Sequence, residues 1–209
     1  MVAAPMAIPI IPRCKPNACD VTRIFLVLLL GFTVIGTPAM ATEEPKFSVF
    51  FQEGAFEIRD YQAAVAAEVT VDGDQKTAAS RGFRLLAGYI FGGNTRNRSI
   101  AMTAPVAQTA DDGAWVVRFT MPSGYTLDTL PQPNDPKVTL HTIPPARFAV
   151  LRFSGLAGQT SVEDRTAELI VFTKVHRLRT VGPVSLAQYN PPWTPWFMRR
   201  NEVMIRLET

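Results

Sequence analysis

Histidine and cysteine are scarce in this chain of 209 residues, and their scarcity excludes several kinds of site. The only histidines are His141 and His176, and the two cysteines, Cys14 and Cys19, lie close to the amino terminus. A metal site rich in histidine is therefore impossible, and a Ser-His-Asp triad would have to use one of the two histidines. The GxGxxG, P-loop, GxSxG and HExxH motifs are also absent, so no common catalytic motif predicts an enzyme.

The amino-terminal region has the composition of an export signal. Arg13, Lys15 and Arg23 precede an apolar run from Ile24 to Gly36, and a small-residue sequence, Ala-Met-Ala, ends at Ala41. This order is typical of a secretory signal peptide, so we expect cleavage after Ala41 and a periplasmic protein of a double-membrane bacterium. The alternative is an inner-membrane anchor, although the apolar run is shorter than the roughly 20 residues that span a bilayer.

Loss of residues 1–41 would change both the chemistry and the charge of the chain. Both cysteines would be removed, so the mature protein would have no disulfide and no thiolate to act as nucleophile or ligand. The whole chain has 21 basic and 18 acidic residues and a formal net charge of +3, and the mature part would keep 18 and 17 of these. A nearly neutral protein gives no indication of nucleic-acid binding, and residues 42–209 are enough for one domain with a core.

The hydrophobic pattern of the mature region repeats once, and the two copies align without a gap at an offset of 86 residues. The corresponding pairs include Ala63 with Ala149, Val65 with Leu151, Ala67 with Phe153, Phe83 with Leu169, Leu86 with Phe172 and Val117 with Val203. The copies span about residues 46–121 and 137–208. The proline-rich segment Met121–Pro136 is predicted to link them.

Each copy is predicted to consist of strand, strand, helix, strand and strand. The first helix is predicted from about Gln75 to Phe91 and the second from about Ser161 to Arg177. The apolar stripe of the first helix consists of Ala79, Phe83, Leu86 and Ile90. Two such units predict an α+β fold, in which a mainly antiparallel eight-stranded sheet or distorted barrel carries two helices.

Three motifs, in this order along the chain, resemble those of the SOUL family of heme-binding proteins. They are FEIRDY at Phe56–Tyr61, SIAMTAPV at Ser99–Val106 and YNPPWTPWFMRRNEVMIRL at Tyr189–Leu207. The resemblance covers nearly all of residues 46–208. It implies a duplicated fold similar to the ligand-binding domains of bacterial multidrug-responsive regulators, with a cleft that holds heme or another tetrapyrrole without a covalent bond.

The resemblance also implies where the heme would bind. In the family the slot has been placed along the first helix and the adjoining sheet, which implies contacts of the porphyrin ring with Phe83, Leu86, Ala87 and Ile90. Arg84 would then lie near a propionate. The alternative is that the apolar members of this set form part of the core.

The resemblance does not supply an axial ligand for the iron. A vertebrate relative carries a histidine within its version of FEIRDY, but the matching residue here is Asp60. The remaining candidates are His176, which lies on the stripe of the second helix, His141 in a predicted strand, and Met102 in the SIAMTAPV motif. We favour a mode without a protein ligand, in which burial and pairing of the propionates hold the ring.

The carboxy-terminal motif joins a rigid aromatic loop to a strand. Three prolines fix φ around Trp193, Trp196 and Phe197, and Arg199 and Arg200 precede the strand. Trp196 and Arg199 are candidates for contact with the ligand, since an aromatic face and a fixed cation suit an amphipathic anion. The alternative is that the aromatic residues anchor the last strand and the arginines pair with its acidic residues.

Together these observations predict an exported, non-enzymatic protein that binds heme or a related tetrapyrrole as a carrier, buffer or scavenger. We expect a monomer, no nucleic-acid partner and no metal site apart from the iron of a bound heme. The first alternative is a generic effector-binding module of the multidrug-regulator type that uses the same cleft. The second is an ester hydrolase with Glu57 or Glu68 as a general base.

Overall fold

The structure is a computed structural model that describes residues 42–208. Residues 1–41, for which a signal peptide is predicted, lie outside this range. The strands are β1 Phe47–Glu53, β2 Phe56–Tyr61, β3 Ala64–Asp72, β4 Val106–Asp111, β5 Ala114–Thr120, β6 Thr139–Ile143, β7 Ala146–Ser154, β8 Thr180–Gln188 and β9 Arg200–Leu207. The helices are α1 Gln75–Ile90, α2 Gln159–Val175 and a 3-10 turn at Trp196–Met198.

All these strands form one open antiparallel sheet, with the order β1-β2-β7-β9-β8-β4-β5-β3-β6. With its two helices this is the α+β fold predicted from the sequence, which is confirmed. The described residues contain nine strands instead of the eight predicted, because β1 adds an edge strand. Gly54 makes this possible, since its φ of 59° allows a tight turn that folds β1 back onto β2.

The strand order reveals two equivalent halves, β2-β3-α1-β4-β5 and β6-β7-α2-β8-β9. Val117 lies opposite Val69 in the first half, and Val203 lies opposite Leu151 in the second. Val117 and Val203 are 86 residues apart, as in the ungapped alignment, but Val69 and Leu151 are only 82 apart. The single offset is therefore wrong for the strands before the helices, because the connections between the paired strands differ in length.

Both helices pack on the same face of the sheet. Val117 belongs to the core under α1 and lies opposite Gln108. Gln108 lies opposite Leu186, which lies opposite Val203, and these last two belong to the core under α2. Residues that lie directly opposite each other project to the same face, so α1 and α2 lie side by side. We call this the helical face and the other the open face. None of the helices in residues 42–208 is long and apolar enough to cross a membrane.

Helix α1 begins where the sequence predicts. Asp74 caps it, because its carboxylate accepts a hydrogen bond of 2.9 Å from the backbone N–H of Thr77. Leu86 and Ile90 are buried as members of the predicted stripe, whereas Phe83 is 41% exposed. The buried side is thus rotated toward Gly82 and away from Phe83.

Gly82 determines this rotation because it lets α1 approach β5 closely. A Cβ atom at this position would lie 2.5 Å from Cγ2 of Val117, which is too short for any van der Waals contact. The helix therefore places its one buried glycine against the sheet. Helical periodicity alone could not identify this, because it assigns apolar side chains, and not glycines, to the packed side.

Helix α2 begins and ends two residues earlier than predicted. Gly158 precedes its first turn without a side-chain cap, and Arg177, with a φ of 54°, leaves the helix directly after His176. Leu169, Phe172 and Thr173 are its buried residues.

The predicted linker Met121–Pro136 packs against the end of α1. Leu130 is buried in the core under α1, the Tyr89 hydroxyl donates to the carbonyl of Pro131 at 2.9 Å, and the N–H of Asn134 donates to Gly93. The segment between the halves is therefore an ordered part of the first core.

The close approach of α1 to β5 predicts opposite effects for two glycines of the same helix. Gly82→Ala should lower the free energy of unfolding by about 1 to 3 kcal/mol, because the new methyl overlaps Val117. Gly88→Ala should raise it by up to about 1 kcal/mol, because no atom lies within 4 Å and alanine favours a helix. Urea denaturation of both variants tests this, and equal changes would contradict the packing argument.

Candidate functional site

An open groove of about 500 Å³ lies along α2, beside the hairpin of β1 and β2. We call it the α2 groove. Its lining residues are Glu53, Phe56, Ala167, Glu168, Val171, Phe172, Val175 and His176. Most of them belong to α2 at the spacing of successive turns, so one stripe of the helix faces the groove.

The floor of the α2 groove is aromatic. The rings of Phe56 and Phe172 are stacked, with centroids 4.6 Å apart and planes only 5° from parallel, and the Phe51 ring lies 6.5 Å from Phe172. On its rim Val171 is 60% exposed and Val175 71% exposed. A flat apolar ligand in the groove would remove both valines from water.

His176 lies at the end of this groove and is held from three sides. Its ring centroid is 4.4 Å from that of Phe172 and 5.4 Å from that of Phe51, and its Nε2 lies 3.2 Å from a carboxylate oxygen of Glu53. The side chain is partly exposed. A carboxylate beside one ring nitrogen orients an imidazole and leaves the other nitrogen for a metal, so His176 could act as an iron ligand.

Charges surround the groove on α2. Glu168 is paired with Arg165 at 2.7 Å, which offsets its negative charge. Lys174 and Arg177 are both exposed and flank His176 along the chain. Their long side chains could reach an anionic substituent of a ligand bound next to His176.

The residues predicted along the first helix do not form one surface. Leu86 and Ile90 are fully buried in the core, whereas Ala87 is only half-buried. Phe83 packs edge-on against Phe119 with centroids 5.5 Å apart, and exposed Arg84 donates from Nε to the carbonyl of its own helix at Ser80. In this structure the sheet occupies the space beside Leu86 and Ile90.

The other predicted site residues lie elsewhere. Met102 is half-buried against the core under α1. Trp196 is exposed and edge-on to Phe197, with centroids 5.8 Å apart, and Arg199 donates to the carbonyls of Thr194 and Pro192 within its own loop. Of the nine predicted residues, the structure brings only His176 into a groove with an aromatic floor.

A second cleft, of about 400 Å³, lies between the segment at residues 43–46, the start of β3 and the loop that follows β5. Glu43 is part of its wall, and its carboxylate accepts a hydrogen bond of 2.8 Å from the backbone N–H of Ser123. Hydrogen bonding by the side chain of Ser123, and then by its backbone N–H, holds the pKa of Glu43 below its ordinary value. The lining includes no histidine and no cysteine, and the described residues contain no cluster of three or more metal-ligating side chains.

The open face carries a buried ion pair that sequence reasoning missed. The guanidinium of Arg59 on β2 donates to both carboxylate oxygens of Glu202 on β9, at 2.8 and 3.0 Å, and to Glu57 at 2.6 Å. Arg59 and Glu202 are among the most deeply buried side chains of the described residues. Such a bidentate pair satisfies the fork of the guanidinium and both oxygens of the carboxylate.

Two further groups complete this network around Glu202. The Tyr189 hydroxyl donates to Glu202 at 2.7 Å, and Arg200 contacts both Glu202 and Glu44 at about 3 Å. Burial acts to raise the pKa of Glu202, but the hydrogen bonds and charges of Arg59, with those of Tyr189 and Arg200, lower it overall. Burial, and then the charge of Glu202, raises the pKa of Tyr189. Since the charges are paired within the network, it stabilises the sheet instead of offering a free charge to a ligand.

Comparison with known families identifies the chain. The sequence profile described as SOUL heme-binding protein matches residues 42–206, which is most of the chain. The chain belongs to this family. The resemblance found in the three motifs is thereby confirmed, and the SOUL match begins and ends within the described domain.

Solved structures share the fold of this SOUL protein at low identity. The C-terminal domain of EcmrR has a TM-score of 0.57 and 8% identity over 74% of this chain and 97% of that one. A hydrolase from Listeria innocua has a TM-score of 0.54 and 13% identity over 76% and 94%. Identities this low show the fold alone. Comparison with curated protein sequences gives no significant match.

The residues of the α2 groove fit the group that the SOUL family name implies. A heme site needs an apolar surface for the macrocycle, cations for the propionates and, in many proteins, a nitrogen or sulfur ligand. The groove has stacked phenylalanines, exposed valines and the imidazole of His176, while the exposed cations Lys174 and Arg177 are near His176 in the sequence but outside the lining, whose charged residues are Glu53 and Glu168. The outer surface of α1 has Phe83 and Arg84 but no histidine.

The buried pair predicts a large loss of stability when its carboxylate is removed. Glu202→Gln leaves Arg59 with Glu57 as its one remaining charged partner, so the free energy of unfolding should fall by about 3 kcal/mol. Glu208→Gln is the matched control, because its pair with Arg179 is exposed and is expected to contribute less than about 1 kcal/mol. Denaturant titration measures both, and similar losses would contradict a structural role of the network.

Glu202 also predicts loss of stability in acid. Its folded pKa lies below the ordinary 4.5, so the contribution of its charge is fully present above pH 4.5 and is lost as the pH falls through the folded pKa. We expect the Tm of the unmodified protein to fall below about this pH, and that of Glu202→Gln to fall less over the same range. Parallel Tm curves would assign the acid sensitivity to other carboxyls, such as Asp60 beside Arg147.

Proposed function

We propose that this SOUL protein binds heme or a closely related tetrapyrrole without a covalent bond, and that it does so in the α2 groove. The observation that carries the proposal is the position of His176 at the end of an apolar groove, with its ring held between Phe51 and Phe172. Family membership supports the class of ligand. The proposal differs from the expectations of the sequence analysis, in which the family resemblance implies a slot along α1 and a mode without a protein ligand is favoured over coordination by His176.

Each part of the groove has a separate role in this proposal. Phe56 offers apolar surface to the macrocycle, supported by the buried ring of Phe172 stacked on it, and the valines of the rim add to this surface. His176 provides a nitrogen for the iron, and Glu53, whose carboxylate lies 3.2 Å from the other ring nitrogen, orients its ring. A bound heme supplies the iron that this imidazole would coordinate.

The expected affinity suits reversible binding. Covering one face of a macrocycle buries on the order of 200 to 300 Å² of apolar area, which contributes roughly 5 to 8 kcal/mol before the cost of association. A coordinate bond from His176 would add to this. Such a protein can take up and release its ligand, as a carrier, buffer or scavenger requires.

We further propose a non-enzymatic role in the periplasm. The export signal predicted at residues 1–41 supports the location, and the absence of common catalytic motifs supports the role. The two glutamates considered as general bases lie against arginines, Glu57 at 2.6 Å from Arg59 and Glu68 at 2.6 Å from Arg118. Both carboxylates are therefore engaged in ion pairs instead of standing free to face a substrate.

Titration of the full-length protein with hemin tests this proposal. We expect saturable one-to-one binding with a shifted Soret band, and His176→Ala should abolish the shift and weaken binding by about tenfold, the equivalent of 1.4 kcal/mol. His141→Ala is the matched control, because His141 lies on β6 and is not part of the α2 groove, so the spectrum should stay unchanged. Circular dichroism of each variant checks that it is folded.

Metal-free protoporphyrin separates the two parts of the proposal. It should bind the unmodified protein and His176→Ala equally, because it has no iron to coordinate. The double variant Val171→Asp with Val175→Asp should bind both hemin and protoporphyrin more weakly. An unchanged Soret shift in His176→Ala would exclude coordination by His176, and unchanged binding to the double aspartate variant would move the site away from the α2 groove. Hemin binding that does not saturate would instead support a generic effector-binding module. An affinity for unrelated planar dyes equal to that for hemin would do the same.

A further inference from the structure

The connection between β8 and β9, residues 189–199, presents large apolar side chains to solvent, and we call it the aromatic loop. Trp193 is 83% exposed, and Trp196, Phe197 and Met198 are each between 61% and 64% exposed. Three of these are consecutive. Apolar side chains this large are usually buried, so a cluster of four at one loop indicates a surface that another phase or molecule covers.

The loop is ordered by its own hydrogen bonds. The carbonyls of Pro191, Pro195 and Trp196 accept backbone N–H groups, and the guanidinium of Arg199 donates to the carbonyls of Pro192 and Thr194. Prolines at positions 191, 192 and 195 have no N–H group to satisfy. Most of the polar backbone in residues 191–198 is therefore paired or absent while the large side chains point outward.

This combination matches the demands of a lipid interface. Water is scarce below the headgroups, so a segment that enters there must satisfy its polar backbone internally. Tryptophan is enriched at the boundary between headgroups and acyl chains, and phenylalanine and methionine add apolar area. No side chain from Tyr189 to Met198 is charged, and Arg199 is turned onto the carbonyls of its own loop.

The first residues of the described domain contact the base of the aromatic loop. Glu44, two residues after the first described residue, pairs with Arg200 at 3.0 Å, and Arg200 directly follows the aromatic loop. Upstream of this point the sequence has the apolar run from Ile24 to Gly36.

We propose that the aromatic loop docks this protein onto a phospholipid bilayer by inserting Trp193, Trp196, Phe197 and Met198 at the level of the headgroups. The α2 groove and its ligand are not used in this argument, so it stands or falls independently of the proposed heme binding. Because the loop has no free cation, the attraction is mainly apolar. Binding should therefore depend little on the charge of the lipid.

Fluorescence quenching by lipid tests the docking directly. The full-length Trp115→Phe variant retains only the two tryptophans of the loop, so its fluorescence reports the position of that loop. With vesicles of dibrominated phosphatidylcholine we expect a blue shift and strong quenching, and equal parts of phosphatidylglycerol should change the partition coefficient less than about twofold. Bound protein whose tryptophans stay unquenched would overturn the proposal, as would no binding at all.

A second comparison separates the loop from general hydrophobicity and from the amino-terminal run. Phe197→Ser with Met198→Ser should weaken partitioning of the full-length protein into phosphatidylcholine vesicles about tenfold or more, because two large apolar contacts are lost. Phe91→Ser is the control, since Phe91 is 69% exposed at the far end of α1 and should leave partitioning unchanged. An equal effect of both changes, or none from the loop variant, would overturn the proposal.

Discussion

The bidentate pair between Arg59 and Glu202 is the interaction on which the open face of the sheet depends. Strands β2 and β9 are the two neighbours of β7, so this pair spans a strand and ties both of its sides together. Within residues 42–208 no helix covers the open face, yet Val150 in β7 is completely buried there. A charge taken out of water at this point is tolerable only because its partner has matching geometry and further donors surround it.

Several residues of the family motifs are members of this buried network. Arg59 comes from FEIRDY, and Tyr189, Arg200 and Glu202 come from the motif at the carboxy terminus, so two motifs that are far apart in the chain meet in one cluster. These residues hold the scaffold. Of the side chains that line the α2 groove, only Phe56 belongs to one of the three motifs, so the motifs predict the family and the fold more surely than the position of a ligand.

The sequence predicted those features that depend on local interactions. The predicted bounds of α1 are correct to within a residue, and the Asp74 cap seen at its start acts over a single turn. Features that depend on distant parts of the chain could not be predicted. Gly82 is buried because it packs against Val117 on β5. His176 was predicted as a candidate ligand, but its contacts with Glu53 and Phe51 were not, because those residues belong to the additional edge strand β1.

The pairing of the first strand of each half has an evolutionary consequence. Strand β2 pairs with β7 of the second half, and β6 pairs with β3 of the first, so each half completes its sheet with a strand of the other. In a single ancestral unit, the strand that corresponds to β3 or β7 would have had one edge with unpaired backbone groups. A second copy could pair with this edge by exchanging its first strand. Fusion of two copies would turn this exchange between chains into one within a chain, so that completion of the sheet no longer depends on protein concentration.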